Sequence, residues 1–118
     1  MRPKGPSHTA AAVAFRRAAH QVIDHPPVFT DPIAARLLSP ESQARLAALP
    51  RHRRRSTFNA RLRAFLAVRS RVAEDALAAA VGAGVRQCLI LGAGLDTFAY
   101  RNPWPELRVF EVDHPNTQ

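Results

Sequence analysis

The spacing of apolar and polar positions divides the chain into a helical first part and a shorter mixed part. Apolar residues recur at helical intervals over residues 9–24, with Ser7 as the cap, and the prolines at 26 and 27 end this helix because proline removes a backbone donor. The pairs Asp31-Pro32 and Ser39-Pro40 each place a capping side chain before a proline at the first helical position, which predicts two short helices. The predicted helices cover residues 9–24, 33–38, 40–49 and 56–80.

The hydrophobic period changes after Gly82 and Gly84, which suit a left-handed helix end. Residues 87–91 are a continuous apolar run, which is typical of a strand covered on both faces in a parallel sheet. This strand leads into Gly92-Ala93-Gly94-Leu95-Asp96-Thr97, followed by a predicted short helix over 98–101 and a second strand over 107–113. Helices followed by strand, glycine loop, helix and strand predict an α/β fold.

Composition excludes several classes of protein. The chain has 118 residues, of which 47% are hydrophobic and 22% charged, as in ordinary globular proteins. Its single cysteine, Cys88, excludes an internal disulfide framework and a Cys-rich zinc site, and we expect no metal. No apolar run approaches the roughly 20 residues that span a bilayer, and the first residues lack the apolar core of a secretory signal. We therefore expect a cytoplasmic protein without a membrane partner.

The positive charge is concentrated in the first part of the chain. The formal net charge is +8, and residues 1–72 hold 14 of the 17 basic residues against three acids. The excess peaks at Arg51-His52-Arg53-Arg54-Arg55, which has two interpretations. Such a block is typical of surfaces that bind nucleic acid or anionic lipid; alternatively, it is the solvated start of a helix in an Arg-rich chain. We favour the second interpretation, because no recognition motif or interleaved aromatic residues accompany the block. A small basic nucleic-acid-binding protein is the alternative.

The glycine loop and the acids on the second strand suit the binding of a nucleoside. Gly92 and Gly94 have no Cβ, so the backbone can approach a ligand closely. Glu111 follows Gly92 by 19 residues and Asp113 follows it by 21, the spacing at which an acid on the next strand binds ribose hydroxyls. The two acids share one face of the strand, and either is a candidate. The alternatives are a plain strand-to-helix turn for the glycines and a capping role before Pro115 for Asp113.

The residues after the loop favour a cofactor without phosphates. The dinucleotide fingerprint has a third glycine where this chain has Thr97, which disfavours NAD and FAD. Asp96 would repel a pyrophosphate, whereas it is compatible with the sulfonium or amino group of S-adenosylmethionine. The loop therefore favours a methyl donor.

An arginine falls within the apolar stripe predicted for the longest helix. On a helical wheel this stripe consists of Phe58, Leu62, Phe65, Leu66, Val72, Ala76 and Ala80. Arg69 lies near its middle, whereas Arg63 and Arg71 point away from it. A buried guanidinium is costly unless it is paired, so we expect an anion beside Arg69: the carboxylate of a methionine-like cofactor, or Glu111 or Asp113. The alternative is that Arg69 reaches solvent from a partly covered stripe.

Several motifs resemble one protein family. They are the run from Gln87 to Thr97, Tyr100-Arg101, Trp104-Pro105, the run from Val109 to Pro115 and, earlier, Thr9-Ala10, Arg17-Ala18, Asp31-Pro32 and Arg69-Ser70-Arg71. Through them the chain resembles the leucine carboxyl methyltransferase family, and within it a bacterial branch of S-adenosylmethionine-dependent methyltransferases.

The resemblance implies a seven-stranded, Rossmann-like methyltransferase sheet preceded by helices. Residues 1–55 would then be an N-terminal helical segment and residues 56–118 the start of the methyltransferase domain. It also implies methyl transfer from S-adenosylmethionine to a carboxylate or hydroxyl oxygen of a small molecule or protein. Asp113 would hold the ribose, Gly92 would lie under the cofactor and Arg69 would bind the methionine carboxylate. The expected cofactor-binding residues are Arg69, Gly92, Ala93, Gly94, Asp96, Glu111 and Asp113.

Members of this family continue well beyond the acid at 113, whereas this sequence ends at Gln118. We therefore expect an N-terminal portion of a methyltransferase, without the adenine-side wall and acceptor site, that pairs with a missing C-terminal half. A third interpretation is a non-catalytic remnant that folds poorly or pairs with another chain through its open sheet edge. No catalytic residue is assigned, because His8, His20 and His114 are each expected at the surface or as caps and Cys88 in packing.

Overall fold

Capping side chains start the N-terminal helices where the sequence predicts them. The computed structural model of the protein describes residues 7–49, 57–115 and 117. In it, side-chain oxygens of Ser7, Asp31 and Ser39 each accept a hydrogen bond from the backbone N–H three residues later, at 3.1, 3.0 and 3.2 Å. Each bond satisfies a donor that the first helical turn leaves without a partner.

The helices and strands follow the predicted order. They are α1 (His8–Ile23), a 3₁₀ helix (Ala34–Leu37), α2 (Pro40–Ala47), α3 (Thr57–Gly82), β1 (Gln87–Leu91), α4 (Phe98–Arg101) and β2 (Arg108–Val112). Helices combined with a parallel strand pair are compatible with the predicted α/β class. α3 extends two residues further than predicted, and Gly84 ends its last turn with a φ of +104°.

The two strands pair in parallel, with Leu89 opposite Phe110 and Ile90 opposite Glu111. One face of this sheet is half buried, because Leu77 and Val81 of α3 pack on it together with residues of and around α4. The other face is 47–72% exposed and consists of Leu89, Leu91, Phe110 and Val112. The prediction that β1 is covered on both faces is therefore wrong for the residues described, since their helices pack on one face only.

Small residues allow α1 to lie close to its neighbours. The buried cluster around it consists of Ala14, Ala18, Ala19, Ala34, Leu38 and Leu46. At the other side of α1, the Arg63 guanidinium of α3 donates two hydrogen bonds to the Asp24 carboxylate, at 2.7 and 2.8 Å. This bidentate pair fixes the end of α1 against the long helix.

The structure does not test the expectation for the basic block, and it gives one finding on membrane-spanning helices. The basic block at residues 51–55 and the predicted start of the long helix at Ser56 lie outside the described residues. Within the part that the structure describes, no helix combines the length and apolarity needed to cross a membrane.

Candidate functional site

The glycine loop turns sharply at the carboxyl end of β1. Gly92 and Gly94 have φ values of +66° and +55°, a region that L residues with side chains rarely adopt. The Gly92 N–H donates to the Val112 carbonyl at 2.7 Å, so the loop starts in register with the end of β2. Glycine is therefore required here by the backbone conformation.

The acid at the end of β2 meets this loop. The Asp113 Oδ2 accepts a hydrogen bond from the Gly94 N–H, and its Oδ1 accepts one from the His114 N–H at 2.6 Å. A Cβ at Gly94 would lie 3.8 Å from Asp113 Oδ2 and 3.2 Å from the Ala10 Cβ of α1. The sequence placed a carboxylate and two glycines at the same sheet edge, and the structure brings them into contact.

An open hollow of about 450 Å³ lies in front of the loop. Its walls come from the first half of α1, from Arg69 of α3, from the loop and from Asp113. Six of the predicted cofactor-binding residues line it: Arg69, Gly92, Ala93, Gly94, Asp96 and Asp113. Glu111 does not line it; this side chain is half buried on the sheet face that α3 covers.

The buried face of α3 is displaced from the stripe that the helical wheel predicted. Of that stripe, Leu66 is buried and Leu62 and Ala80 are half-buried. Phe65 and Val72 are each 61% exposed and Arg69 is exposed, whereas Arg63 is 7% exposed and holds Asp24. The side chain of Phe58 lies outside the described residues. The inward stripe recurs at intervals of three and four and consists of Arg63, Leu66, Ala67, Ser70, Glu74, Leu77 and Val81. A ranking by hydrophobicity misses this stripe because it contains three polar residues. Arg63 and Glu74 are paired with Asp24 and Arg101, and Ser70 is half-buried.

A buried polar cluster behind the loop was not predicted from the sequence. Asp31 has no solvent-exposed surface; besides capping its own helix, it accepts a hydrogen bond from Thr97 Oγ1 at 2.6 Å. Arg101 donates to Thr97 Oγ1 at 3.0 Å and pairs with Glu74 at 2.5 Å. In the sequence its members appear as a threonine where a dinucleotide fingerprint has its third glycine and as the motifs Asp31-Pro32 and Tyr100-Arg101, but no spacing indicates that they meet.

Arg17 of α1 also contacts the loop, and it lines the same hollow. It is 6% exposed, and its Nη2 donates to the Leu95 carbonyl. The sequence motif around Arg17 contributed to the family resemblance, but its spacing alone gave no sign of this contact.

Negative charge accumulates where the loop meets the covered sheet face. Burial, and secondarily the charge of Asp96, raise the pKa of Glu111 above its ordinary value. The same two causes raise the pKa of the Cys88 thiol, which keeps it protonated and agrees with a packing role. Asp96 itself accepts a hydrogen bond from the Phe98 N–H at 2.8 Å.

His20 is buried rather than at the surface. It is 3% exposed, its Nε2 accepts from the Val28 N–H at 3.1 Å, and its Nδ1 lies 2.8 Å from Asp24 Oδ2. Both ring nitrogens are therefore occupied by structural hydrogen bonds, and His20 is not placed to accept a proton from a ligand.

Comparison with known proteins places these features in a family context. The model of the family described as leucine carboxyl methyltransferase matches residues 10–118. A relative from Parafrankia sp. (strain EAN1pec), whose name begins "Putative S-adenosyl-L-methionine-dependent methyltransferase", is 46% identical over 81 residues, 68% of this chain and 23% of that protein.

Two more relatives carry the same description. The protein from Mycobacteroides abscessus is 41% identical over 109 residues, 92% of this chain and 36% of its own. The protein from Mycobacterium sp. (strain KMS) is 54% identical over 50 residues, 42% of this chain and 19% of its own. The chain thus spans between 19% and 36% of the length of these three relatives.

Proposed function

The chain belongs to the leucine carboxyl methyltransferase family, and on that basis we propose that it forms the cofactor-binding part of an S-adenosylmethionine-dependent O-methyltransferase. The observation that carries the proposal is the hydrogen bond between the Asp113 carboxylate and the Gly94 N–H, which joins the acid to the glycine loop at the mouth of the hollow. Open parallel sheets bind nucleosides at this edge, where the strands end.

The residues around the hollow fit an adenosyl group. A Cβ at Gly92 would meet nothing within 4 Å, so the loop presents a bare backbone surface to the hollow. Each Asp113 oxygen has accepted one hydrogen bond and keeps a lone pair for a ribose hydroxyl. Asp113 is therefore a better ribose ligand than Glu111, which is half buried away from the hollow.

Arg69 would hold the other end of the cofactor. Its guanidinium is exposed, lines the hollow, and has no ion pair with an acid among the described residues. Arginine binds a carboxylate through two parallel hydrogen bonds, which suits the carboxylate of the methionine moiety. This role does not need the buried position that the helical wheel predicted.

The protein's contribution to chemistry would be positioning. S-adenosylmethionine supplies an electrophilic methyl group on its sulfonium. The complete protein needs to hold the acceptor oxygen in line with that methyl group. A carboxylate acceptor is already ionised at neutral pH and requires no general base. His20, held by structural hydrogen bonds, is not placed to act as such a base, and a hydroxyl acceptor would need one from residues beyond this sequence.

We propose further that residues beyond this sequence complete a Rossmann-like sheet, the adenine-side wall and the acceptor pocket. Two observations support this: the exposed apolar face of the strand pair, and the share of the relatives' length that the chain spans. An uncovered apolar sheet face is a site for packing with further chain. The 118-residue chain alone should then bind the cofactor weakly, and a micromolar dissociation constant would contradict this part of the proposal.

Nuclear magnetic resonance can test the site even where binding is weak. The ¹⁵N-labelled chain is titrated with S-adenosylmethionine, and the amide signals of residues 92–94 and 114 should shift together and saturate. Asp113→Asn should weaken binding about tenfold or more, because hydrogen bonds to a charged acceptor contribute about 1.5–3 kcal/mol.

The matched control is Asp75→Asn, which removes an exposed carboxylate of α3 that pairs with Arg71 outside the hollow. It should leave the titration unchanged. Shifts confined to other parts of the chain, or equal affinities for the wild type and Asp113→Asn, would overturn the assignment of this site.

A further inference from the structure

One arginine of α1 connects three groups around the glycine loop. Besides its hydrogen bond to the Leu95 carbonyl, Arg17 places Nη1 3.7 Å from Asp96 Oδ2 and Nε 3.6 Å from Asp31 Oδ2. The partners at Leu95 and Asp96 lie 78 and 79 residues further along the chain. The guanidinium therefore sits between the N-terminal helices and the residues that follow Gly94 directly.

A second contact ties the same segment two residues further along the chain. The fully buried Asp31 accepts a hydrogen bond from the Thr97 hydroxyl, and Arg101 approaches Asp31 Oδ1 at 3.4 Å. Arg101 is held in turn by Glu74 of α3. The loop is thus fastened at residue 95 and at residue 97, both times to charged side chains that are shielded from water.

We propose that Arg17 is a positioning residue, which holds the glycine loop in the shape that receives the cofactor, with the Asp31–Thr97 contact as its counterpart. This inference rests on the proposed function. It assigns to α1 a role in cofactor binding that is indirect, through the Leu95 carbonyl, and needs no contact between Arg17 and the cofactor.

The physical reason is the freedom of the loop itself. Two glycines within three residues lose more conformational entropy on ordering than any other residues would, so a loop without anchors samples many shapes. Ordering it on binding would cost affinity, whereas a loop held beforehand binds without that cost. A charge-assisted hydrogen bond from a buried guanidinium is about twice as strong as a neutral one, which suits it as the anchor.

Arginine is suited to this position in a way that lysine is not. Its planar group presents donors in several fixed directions, so that one head can face the Leu95 carbonyl, Asp31 and Asp96 together. An ammonium group has the charge but is a compact point, so it can keep one of these contacts and loses the others.

The test removes the guanidinium and then returns it. The Arg17→Ala variant of the 118-residue chain is titrated with S-adenosylmethionine, with the amide signals of residues 92–96 as the readout. Binding should weaken about tenfold, as expected when an anchored loop must be ordered by the ligand. Millimolar guanidinium chloride, far below denaturing concentrations, should restore most of the affinity, because the vacated space opens on the hollow that Arg17 lines. Equal concentrations of sodium chloride should not restore it.

The neighbouring arginine provides the control. Arg16 donates to the Ala12 carbonyl at 3.3 Å and lines a different hollow, on the far side of α1. Arg16→Ala should bind the cofactor as the wild type does. If Arg17→Ala fails to give a cooperative melt, Arg17→Lys replaces it, and a folded Arg17→Lys should still bind several-fold more weakly than the wild type, because one contact replaces three.

The outcomes separate this inference from the proposed function. A wild-type chain whose loop signals do not respond to the cofactor refutes both. A wild type that responds together with an Arg17→Ala or Arg17→Lys variant of equal affinity refutes the positioning role alone. Weakened binding that guanidinium does not restore also refutes it, since it indicates a general structural effect.

Discussion

Replacing Gly94 with alanine tests how closely α1 approaches the glycine loop. Gly94 has a φ of +55°, and a Cβ there would lie 3.2 Å from the Ala10 Cβ, inside the ordinary separation of two carbon atoms. A left-handed conformation costs an L residue about 1–2 kcal/mol, and relieving the overlap adds an overpacking cost of about 1–3 kcal/mol. We expect Gly94→Ala to lower the free energy of unfolding by about 2–5 kcal/mol.

Gly92→Ala separates the two contributions. Its φ is +66°, almost the same as at Gly94, but its Cβ would meet nothing within 4 Å. Only the conformational cost of about 1–2 kcal/mol then applies. Urea unfolding followed by circular dichroism gives both values, and the chain should lose at least about 1 kcal/mol more at Gly94 than at Gly92. Equal losses, or a larger loss at Gly92, would show that α1 does not press on the loop.

Three other changes have outcomes whose sign follows from the structure. Hydrogen bonds from Arg63 lower the pKa of Asp24, so the stability that this pair contributes is complete above about pH 4 and is lost as the pH falls through the lowered pKa. Urea melts should therefore show that Arg63→Met is less stable than the wild type by about 2 kcal/mol at neutral pH. The unfolding free energy of this variant should also change less as the pH is lowered. Burial and the charge of Asp96 raise the pKa of Glu111, so the stability of the wild type falls as the pH rises from the ordinary glutamate pKa through the raised one. Glu111→Gln should therefore have a higher melting temperature than the wild type at neutral pH, and this difference should disappear near about pH 4. Thr97→Val keeps the shape of the side chain but removes a donor to a carboxylate with no solvent contact, so the unfolding free energy should fall by about 1–3 kcal/mol in urea melts.

The elements that the sequence predicted are those whose causes lie within a few residues of one another. Ser7, Asp31 and Ser39 cap the helices that follow them, because a capping bond reaches only three residues along the chain. The strand pair was predictable for a related reason. The runs at 87–91 and 107–113 differ from helices in their period, and the segment between them contains a short helix and is long enough for the crossover that parallel pairing requires.

The orientation of α3 was not predictable in this way. A helical wheel ranks the faces of a helix by hydrophobicity, whereas the inward face of α3 contains Arg63 and Glu74. These two side chains lie inward because they form ion pairs with Asp24 and Arg101. A buried arginine of α3 does have an anion beside it, as the general argument requires. That arginine is Arg63, however, and not Arg69. Which arginine has the partner depends on where α1 ends in space, and no pattern within α3 contains that information.

The loop's own hydrogen bonds give a structural reason why it suits a cofactor without phosphates. A phosphate cradle needs backbone N–H groups that point free into the site. Here the N–H of Gly92 is taken by a carbonyl of β2, that of Gly94 by Asp113, and that of Phe98 by Asp96. A pyrophosphate would have to displace these acceptors while lying beside two carboxylates. The preference for a nucleoside cofactor without phosphates, first drawn from the absence of a third glycine, thus follows more strongly from the partners that the loop amides already have.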